Sequence, residues 1–227
     1  PSALREFGSP YFDCLLAHPP LPPPPESAVR IGVLANPNGM RERLTDRDTV
    51  TPEGVLPAVH RVMQAYPGSR VTLRLHPRQS PTRIHEAFDV PESTDIEPSS
   101  QTPLTEFLAT HHLIVGSYSM GLMVARLLGR PSVSYQPPVD DDHGIRREIF
   151  AAWNVPVATT EDELAATIAE GLRDPGRPLD PETVLYRPGR SLPAIAEEIL
   201  AAQARRWGHA TRQSAGTDVG RAGTSPQ

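Results

Sequence analysis

The amino-acid sequence predicts a doubly wound α/β fold built on a parallel sheet of about six strands. Short apolar runs rich in β-branched residues alternate along the chain with segments of helical period. No two-residue hairpin turn joins the predicted strands, and helices of about ten residues separate most of them, as in parallel βαβ units. The alternation and the lack of hairpins together favour parallel pairing.

Each predicted strand is a short apolar run bounded by polar or proline-containing residues. The six runs are VRIGVLA (29–35), RVTLRLH (70–76), STDIE (93–97), HLIVG (112–116), SVSYQ (132–136) and VPVA (155–158). Each predicted helix carries apolar residues at helical spacing, and the first has Thr51 as N-cap and Pro52 at its first position. The predicted helices cover residues 51–67, 80–88, 102–111, 119–129, 145–152, 160–172 and 191–207.

The chain divides into three segments by composition. Residues 1–28 include the run PPLPPPP, whose prolines cannot donate backbone hydrogen bonds and favour extended polyproline II. We interpret residues 1–28 as a stiff linker from a missing N-terminal domain, and a proline motif that docks a partner is the alternative. Residues 29–207 form the predicted domain, and residues 208–227 a disordered tail. The absence of an initial methionine suggests a fragment or a processed product.

Composition argues against several classes of protein. The net charge is −5 without a basic run, which disfavours a nucleic-acid partner. Cys14 is the only cysteine, so an intrachain disulfide and a Cys-based zinc site are excluded, and a reducing compartment fits. No apolar run approaches the ~18 residues of a transmembrane segment, and no signal peptide precedes the first strand. We therefore expect a soluble, cytoplasmic protein.

The first candidate site follows the second predicted strand. Ligands of open α/β sheets bind beyond the carboxyl ends of the strands, and this strand ends at His76 and Pro77. The proline fixes the turn, so the imidazole could donate to a phosphate oxygen or exchange a proton. Arg78 could add a bidentate contact to an anion. The alternative is that His76 caps the strand and that the nearby Arg74, Arg78 and Arg83 are solvated.

The second candidate site lies in VGSYSMGLMVARLLGRP, residues 115–131. Gly116 allows a tight exit from the strand, and Ser117 and Ser119 are both competent N-caps whose hydroxyls could turn to a ligand instead. Free N–H groups at the helix start, with the small Gly121 beside them, would let an anion approach closely. The turn is not a G-x-G-x-x-G fingerprint, and a serine cap without a ligand would also satisfy the pattern.

The rest of that segment is predicted to be structural. Gly129 is expected to end the helix, and the next strand leads to a loop with three aspartates and a histidine. Consecutive aspartates point in different directions, so we predict a solvated loop rather than a metal site. The predicted apolar stripe consists of Met120, Met123, Val124, Leu127 and Leu128. The acidic loop contains Asp140, Asp141, Asp142 and His143, and the other histidines expected to be structural are His111 and His112.

The order of these motifs resembles the C-terminal nucleotide-binding domain of GT-B-fold glycosyltransferase-like proteins. The shared order is strand, His-Pro-Arg, strand, Ser-x-Ser-Met, helix, Leu-Leu-Gly-Arg-Pro and strand, Gln-Pro. The pattern is most similar to surface-carbohydrate and capsule-type enzymes related to CDP-glycerol glycerophosphotransferases, bacterial polysialyltransferases and UDP-N-acetylglucosamine 2-epimerases. The resemblance covers about residues 29–200 and implies a Rossmann-like sheet. The segment REFGSPYFD is similar to the one that joins the two halves of such proteins.

The resemblance also implies roles for residues. In that family the histidine of the His-Pro motif contacts the donor phosphate or assists departure of the nucleotide, which implies a catalytic role for His76. The serines bind the phosphates, and preplaced donors there would stabilise the developing charge on the leaving phosphate. The implied donor-binding residues are Pro77, Arg78, Gly116, Ser117, Ser119 and Met120. No cofactor is implied, since the nucleotide-linked donor is the substrate.

The chain departs from the family pattern in two ways. A glutamate that often holds the ribose is replaced by Val124 when the sequences are aligned through LLGRP, and the N-terminal domain is absent and expected in cis or trans. The expected function is the donor-binding half of a GT-B-type transferase that moves a sugar or glycerol-phosphate unit in surface or secondary polysaccharide biosynthesis. The alternatives are a non-catalytic or truncated nucleotide-sugar-binding or interaction module, and a nucleotide-sugar epimerase-like enzyme.

Overall fold

The computed structural model describes residues 8–24, 28–35, 52–82, 84, 90–137, 144–174, 178–185 and 188–216. These residues belong to two compact units. The smaller unit takes its residues from 1–18 and 185–227, and the larger from 19–184. The sheet and both candidate sites lie in the larger unit.

The larger unit contains a six-stranded sheet in which every pairing is parallel. Its strands are β1 (Arg30–Leu34), β2 (Arg70–Arg74), β3 (Thr94–Glu97), β4 (Leu113–Gly116), β5 (Ser132–Tyr135) and β6 (Val157–Ala158). Their order in the sheet is β3-β2-β1-β4-β5-β6. All six predicted strands are present, so the predicted α/β class and parallel pairing are confirmed.

Helices connect these strands in the way the sequence predicts. Those of the larger unit are α2 (Pro52–Met63), α3 (Leu104–Thr110), α4 (Met120–Leu127), α5 (Gly144–Ala152), α6 (Glu161–Arg173) and α7 (Pro181–Val184), and those of the smaller unit are α1 (Pro10–Leu16) and α8 (Ser191–Gly216). The sequence analysis did not predict α1 or α7. Of the predicted helix 80–88, residues 81, 82 and 84 are helical and most of the others lie outside the described residues.

Helices cover both faces of the sheet. Ile31 and Val33 of β1 belong to one apolar cluster with the buried side chains of α2 and α6. Gly32 faces the other way, where an added Cβ would lie 2.8 Å from the Phe107 ring of α3. Because side chains alternate along a strand, these contacts put α2 and α6 on one face and α3 on the other. This is the doubly wound arrangement.

The start of the proline run, which belongs to the larger unit, is hydrogen-bonded to residues near the end of α4. The Leu21 N–H donates to the Leu128 carbonyl at 3.1 Å, and Arg130 Nη2 donates to the Pro22 carbonyl at 2.6 Å. Arg130 is buried, and its Nε also donates to the Leu108 carbonyl at the end of α3. A cation is favourable there because the carbonyl end of a helix is negative. Arg130 of the Leu-Leu-Gly-Arg-Pro motif therefore anchors this run.

Asp13 joins α1 to the start of α8 in the smaller unit. Both carboxylate oxygens of Asp13 accept backbone N–H groups, from Gly189 at 2.7 Å and from Ser191 at 2.8 Å. These are groups at the start of α8, where a carboxylate is favoured by the helix dipole. The helix itself continues to Gly216, past the end at residue 207 that the pattern predicts. Alanine, glutamine and arginine in that extension have high helix propensity.

Candidate functional site

The two predicted motifs lie at the same edge of the sheet. β1 has β2 on one side and β4 on the other, so successive connections run in opposite directions from it. Such a switch point opens a crevice beyond the carboxyl ends of the strands. His76 follows β2 and the turn 117–119 follows β4. With one strand between them, their strand ends are about 10 Å apart.

The hydrogen bonds of His76 define which ring nitrogen carries the proton. The Arg78 N–H lies 3.3 Å from His76 Nδ1. A backbone N–H can only donate, so Nδ1 is the acceptor and the neutral ring carries its proton on Nε2. Desolvation, and then the positive charge of Arg78, lower the pKa of His76 below its ordinary value. Near neutral pH, His76 therefore offers an Nε2–H donor.

The loop after β2 is closed by Gln79. The His76 N–H donates to Gln79 Oε1 at 2.8 Å, and the Gln79 N–H donates back to the His76 carbonyl at 2.8 Å. Pro77 and Arg78 lie between these bonds and are exposed. These two hydrogen bonds thus fix the backbone around His76, while the Arg78 side chain stays exposed.

Arg74 is not the solvated side chain that the alternative reading expects. It is 7% exposed and forms an ion pair with Glu97 at 2.6 Å. Its Nη2 also donates to the carbonyls of Ser99 and Thr102. Side-chain alternation in β2 puts Arg74 on the face opposite to Val71 and Leu73. It is buried there because it lies over the Phe107 ring, 5.2 Å from the ring centroid, and because its polar partners come from later in the chain. Arg74 is therefore structural, and Arg83 lies outside the described residues.

Ser119 is the N-cap of α4. Its Oγ accepts the Gly121 N–H at 3.2 Å, and its carbonyl accepts the Leu122 N–H at 3.1 Å. Neither bond uses the Met120 N–H, for which the described residues provide no acceptor. Ser117 differs from Ser119 because it is only 2% exposed. Of the two serines, Ser119 is consequently the accessible one, and the exposed Met120 follows it.

Gly121 lets the start of α4 lie against the end of β1. A Cβ at this position would be 2.6 Å from Leu34 Cδ1, closer than carbon atoms pack. Gly116 is buried, and it pairs with Leu34 in the register of β1 and β4. These two glycines keep the serine turn near the switch point.

The predicted apolar stripe of α4 was wrong at Met120, which is 59% exposed. Side chains of a helix lean toward its N-terminus, so the first residue projects beyond the edge of the sheet. Met123 is only partly buried. The buried side chains of this segment are Leu122, Val124, Ala125, Leu127 and Leu128. Gly129 has φ +82°, which suits the predicted end of the helix.

Sequence reasoning missed two residues near the turn, Ser134 and Gln136. Both are fully or almost fully buried, at 0% and 1% exposure. They lie at alternate positions of SVSYQ, and that polar alternation inside a strand was the available signal. The pattern could not reveal their partners, because Ser117 is far from them along the chain.

No metal site is evident in the part of the chain that the structure describes, where no three His, Cys, Asp or Glu side chains are grouped suitably. The predicted acidic loop, with Asp140, Asp141, Asp142 and His143, lies outside those residues. His111 and His112 are engaged in hydrogen bonds with the Phe107 carbonyl and the Arg30 N–H. Among the described helices, none is long and apolar enough to cross a bilayer.

A separate cleft of about 650 Å³ lies at the amino ends of β4 and β5. Arg126 and Arg147 line it together with the acidic Glu170 and Asp174. Mixed charges at an amino edge do not match an anionic ligand, and the cleft contains none of the predicted site residues. We therefore base the candidate site on the motifs at the carboxyl edge.

Comparisons with known proteins support the fold and leave the chemistry open. No protein-family profile and no curated protein matches the chain. Among solved structures, the chain is similar to the UDP-GlcNAc 2-epimerase from Neisseria meningitidis bound to UDP-GlcNAc, with 17% identity and a TM-score of 0.54 over 78% of this chain and 46% of the epimerase. It is also similar to the spinosyn rhamnosyltransferase SpnG complexed with spinosyn aglycone, with 20% identity and a TM-score of 0.45 over 75% of this chain and 42% of that one. The chain thus spans less than half the length of these neighbours. At 17% identity, the similarity to the epimerase supports a GT-B-like, Rossmann-type fold and no more.

Proposed function

We propose that the larger unit is the donor-binding half of a GT-B-type transferase. It would move a sugar or glycerol-phosphate unit from a nucleotide-linked donor in surface or secondary polysaccharide biosynthesis. The observation that carries the proposal is that His76 follows β2 and Ser119 follows β4. These are the two strands that flank β1 at the switch point. Two hydrogen-bond donors across one crevice suit a phosphate-bearing ligand.

Each group at the edge has a distinct part in this proposal. The Nε2–H of His76 donates to a phosphate oxygen of the donor. The Ser119 hydroxyl accepts the Gly121 N–H and still has its own proton to donate. The Met120 N–H points from a helix start, where anions are favoured, and the Arg78 guanidinium adds positive charge. As the bond to the nucleotide breaks, these donors stabilise the growing negative charge of the leaving phosphate.

The transferred group must be recognised by further residues. Val124 stands where related helices often carry a ribose-binding glutamate, and it is fully buried. We propose that donor recognition here relies on the phosphates, with the acceptor held by a second domain in cis or in trans. The nucleotide-linked donor is then the substrate, and the chemistry needs no separate cofactor.

Isothermal titration calorimetry with CDP-, CMP- and UDP-linked donors tests the proposal. We expect one class of donor to bind the wild-type chain, and His76→Ala and Ser119→Ala each to weaken binding by about tenfold, the loss of one hydrogen bond to a charged group. The matched control is His60→Ala, which removes a part-buried histidine bonded to Thr94, at the start of β3. Folded wild-type protein that binds no donor would contradict the proposal.

Two other functions make different predictions for the same samples. An epimerase-like enzyme would convert UDP-GlcNAc, the ligand of the Neisseria meningitidis neighbour, without any acceptor. A non-catalytic module, which the buried Val124 favours, would bind a donor and turn over nothing. Product analysis with and without added acceptor separates the three.

A further inference from the structure

The interior strand β5 and the residue that follows it carry a row of buried polar side chains on one face. Ser132, Ser134 and Gln136 alternate along the chain, so they point to the same side of the sheet, and none is more than 3% exposed. Central strands of parallel sheets are normally apolar on both faces, and the intervening Val133 and Tyr135 follow that rule. We call Ser132, Ser134 and Gln136 the polar row.

The donor and the acceptor of each hydrogen bond between Gln136, Ser134 and Ser117 can be assigned. Ser134 Oγ lies within hydrogen-bond distance of the Ser117 carbonyl, and Gln136 Nε2 lies 2.7 Å from Ser134 Oγ. A carbonyl can only accept, so the single hydroxyl proton of Ser134 is donated to the Ser117 carbonyl. Only a donor can then face the Ser134 oxygen, which fixes the amide of Gln136 with Nε2 toward it.

Hydrogen bonds from the polar row reach residues on both sides of Ser119, the N-cap of α4. Ser134 binds the carbonyl of Ser117, two residues before Ser119, and Ser132 Oγ donates to the carbonyl of Leu122 at 2.9 Å. Ser134 also pairs with Gly116 in the register of β4 and β5. Two hydrogen bonds from β5 therefore hold the chain on either side of Ser119, and Ser119 itself lies at the edge of the sheet.

Burying the Gln136 side chain costs free energy that a purely structural position would not require. Its Oε1 is buried and has no hydrogen-bond partner among the described residues. An apolar side chain of similar size would avoid that unsatisfied acceptor. What Gln136 supplies is the donor that orients the Ser134 hydroxyl.

We propose that Ser134 and Gln136 are positioning residues for the donor phosphate: they hold the turn 117–119 so that the Ser119 hydroxyl and the Met120 N–H face the ligand. This inference rests on the proposed function of the turn. Neither side chain touches the ligand, and both act through the Ser117 carbonyl.

The test combines stability, amide exchange and donor binding in the full chain. The key variant is Ser134→Ala with Gln136→Met, because it removes the hydrogen bond to the Ser117 carbonyl without leaving the Gln136 amide unpaired. We expect amide exchange over residues 117–121 to rise about fivefold and the affinity for the bound UDP- or CDP-linked donor to fall about fivefold, as for one lost hydrogen bond. Gln136→Met alone is the milder second variant.

Val133→Ala is the matched control, since Val133 lies on the opposite face of the same strand and is fully buried. It should lower stability without changing exchange in the turn relative to the rest of the sheet, or donor affinity. Donor affinity in the double variant equal to that of the wild type would overturn the inference while the proposed function stands. Wild-type protein that binds no donor overturns the proposed function, and exchange over 117–121 then decides whether the polar row holds the turn.

Discussion

The Arg78 N–H donates to Nδ1 of His76 at 3.3 Å, which leaves the imidazole proton on Nε2. Desolvation and the Arg78 charge lower the pKa of His76, so protonation requires a lower pH in the folded chain than in the unfolded one. The neutral ring therefore favours folding above the ordinary value of about 6.5, and this contribution is lost as the pH falls through the folded pKa. An NMR titration of the imidazole should give a midpoint below 6.5.

Arg78→Ala should move that midpoint upward, because it removes the second cause of the shift. His60 is the internal control in the same spectra. Its pKa is lowered by desolvation, so it should titrate unchanged in the Arg78→Ala protein. An unchanged His76 midpoint would mean that the guanidinium does not act on the ring.

Substitutions of Ser119 separate helix capping from anion binding. Ser119→Ala should lower the free energy of unfolding by about 1 kcal/mol, since it removes the acceptor of the Gly121 N–H. Ser119→Asp should keep stability, because aspartate is as good an N-cap and suits the helix dipole. Its negative charge should nevertheless abolish donor binding. Chemical denaturation and calorimetry measure the two effects, and tight donor binding by Ser119→Asp would contradict a phosphate site at the turn.

The ion pair between Arg74 and Glu97 should contribute far more to stability than a second pair in the same strands. Arg74→Ala leaves the largely buried Glu97 carboxylate without its main partner, so the free energy of unfolding should fall by about 3–5 kcal/mol. Arg70→Ala is the matched control, because Arg70 and Asp95 are 3.8 Å apart with exposures of 67% and 62%. Its effect should be below about 1 kcal/mol. Equal losses in urea denaturation would show that burial does not distinguish the pairs.

Asp13 should make the start of α8 sensitive to acid. Burial acts to raise the pKa of Asp13, but hydrogen bonds from Ser191 and Gly189 outweigh it, and the pKa is lowered. Protection of the Gly189 and Ser191 amides from exchange should therefore be present above the ordinary aspartate pKa of about 3.9 and be lost as the pH falls through the folded pKa. Asp13→Ala should remove this protection at every pH, whereas Glu182→Ala, an exposed acid of the other unit, should not.

Some of the candidate site followed from local sequence and some did not. Ser117 and Ser119 could both be predicted as candidate caps because capping depends on residues within one turn, and the structure shows that Ser119 is the cap. Arg74 could not be predicted as buried, because its partners Glu97 and Thr102 come from another strand and a later loop. Ser134 was missed for the same reason: its acceptor is the Ser117 carbonyl, 17 residues away. Met120 was misassigned because a period of 3.6 does not indicate where a helix passes the edge of the sheet.

The sequence by itself determined the six strands, their parallel pairing and the residues that follow each strand, because these depend on local periodicity, turn residues and connection length. Only the tertiary structure decided that β2 and β4 flank β1, and so that His76 and Ser119 follow the two strands on either side of it. Strand order arises from contacts between residues distant in the chain. The same long-range packing buried Arg74 and attached the polar row of β5 to the serine turn.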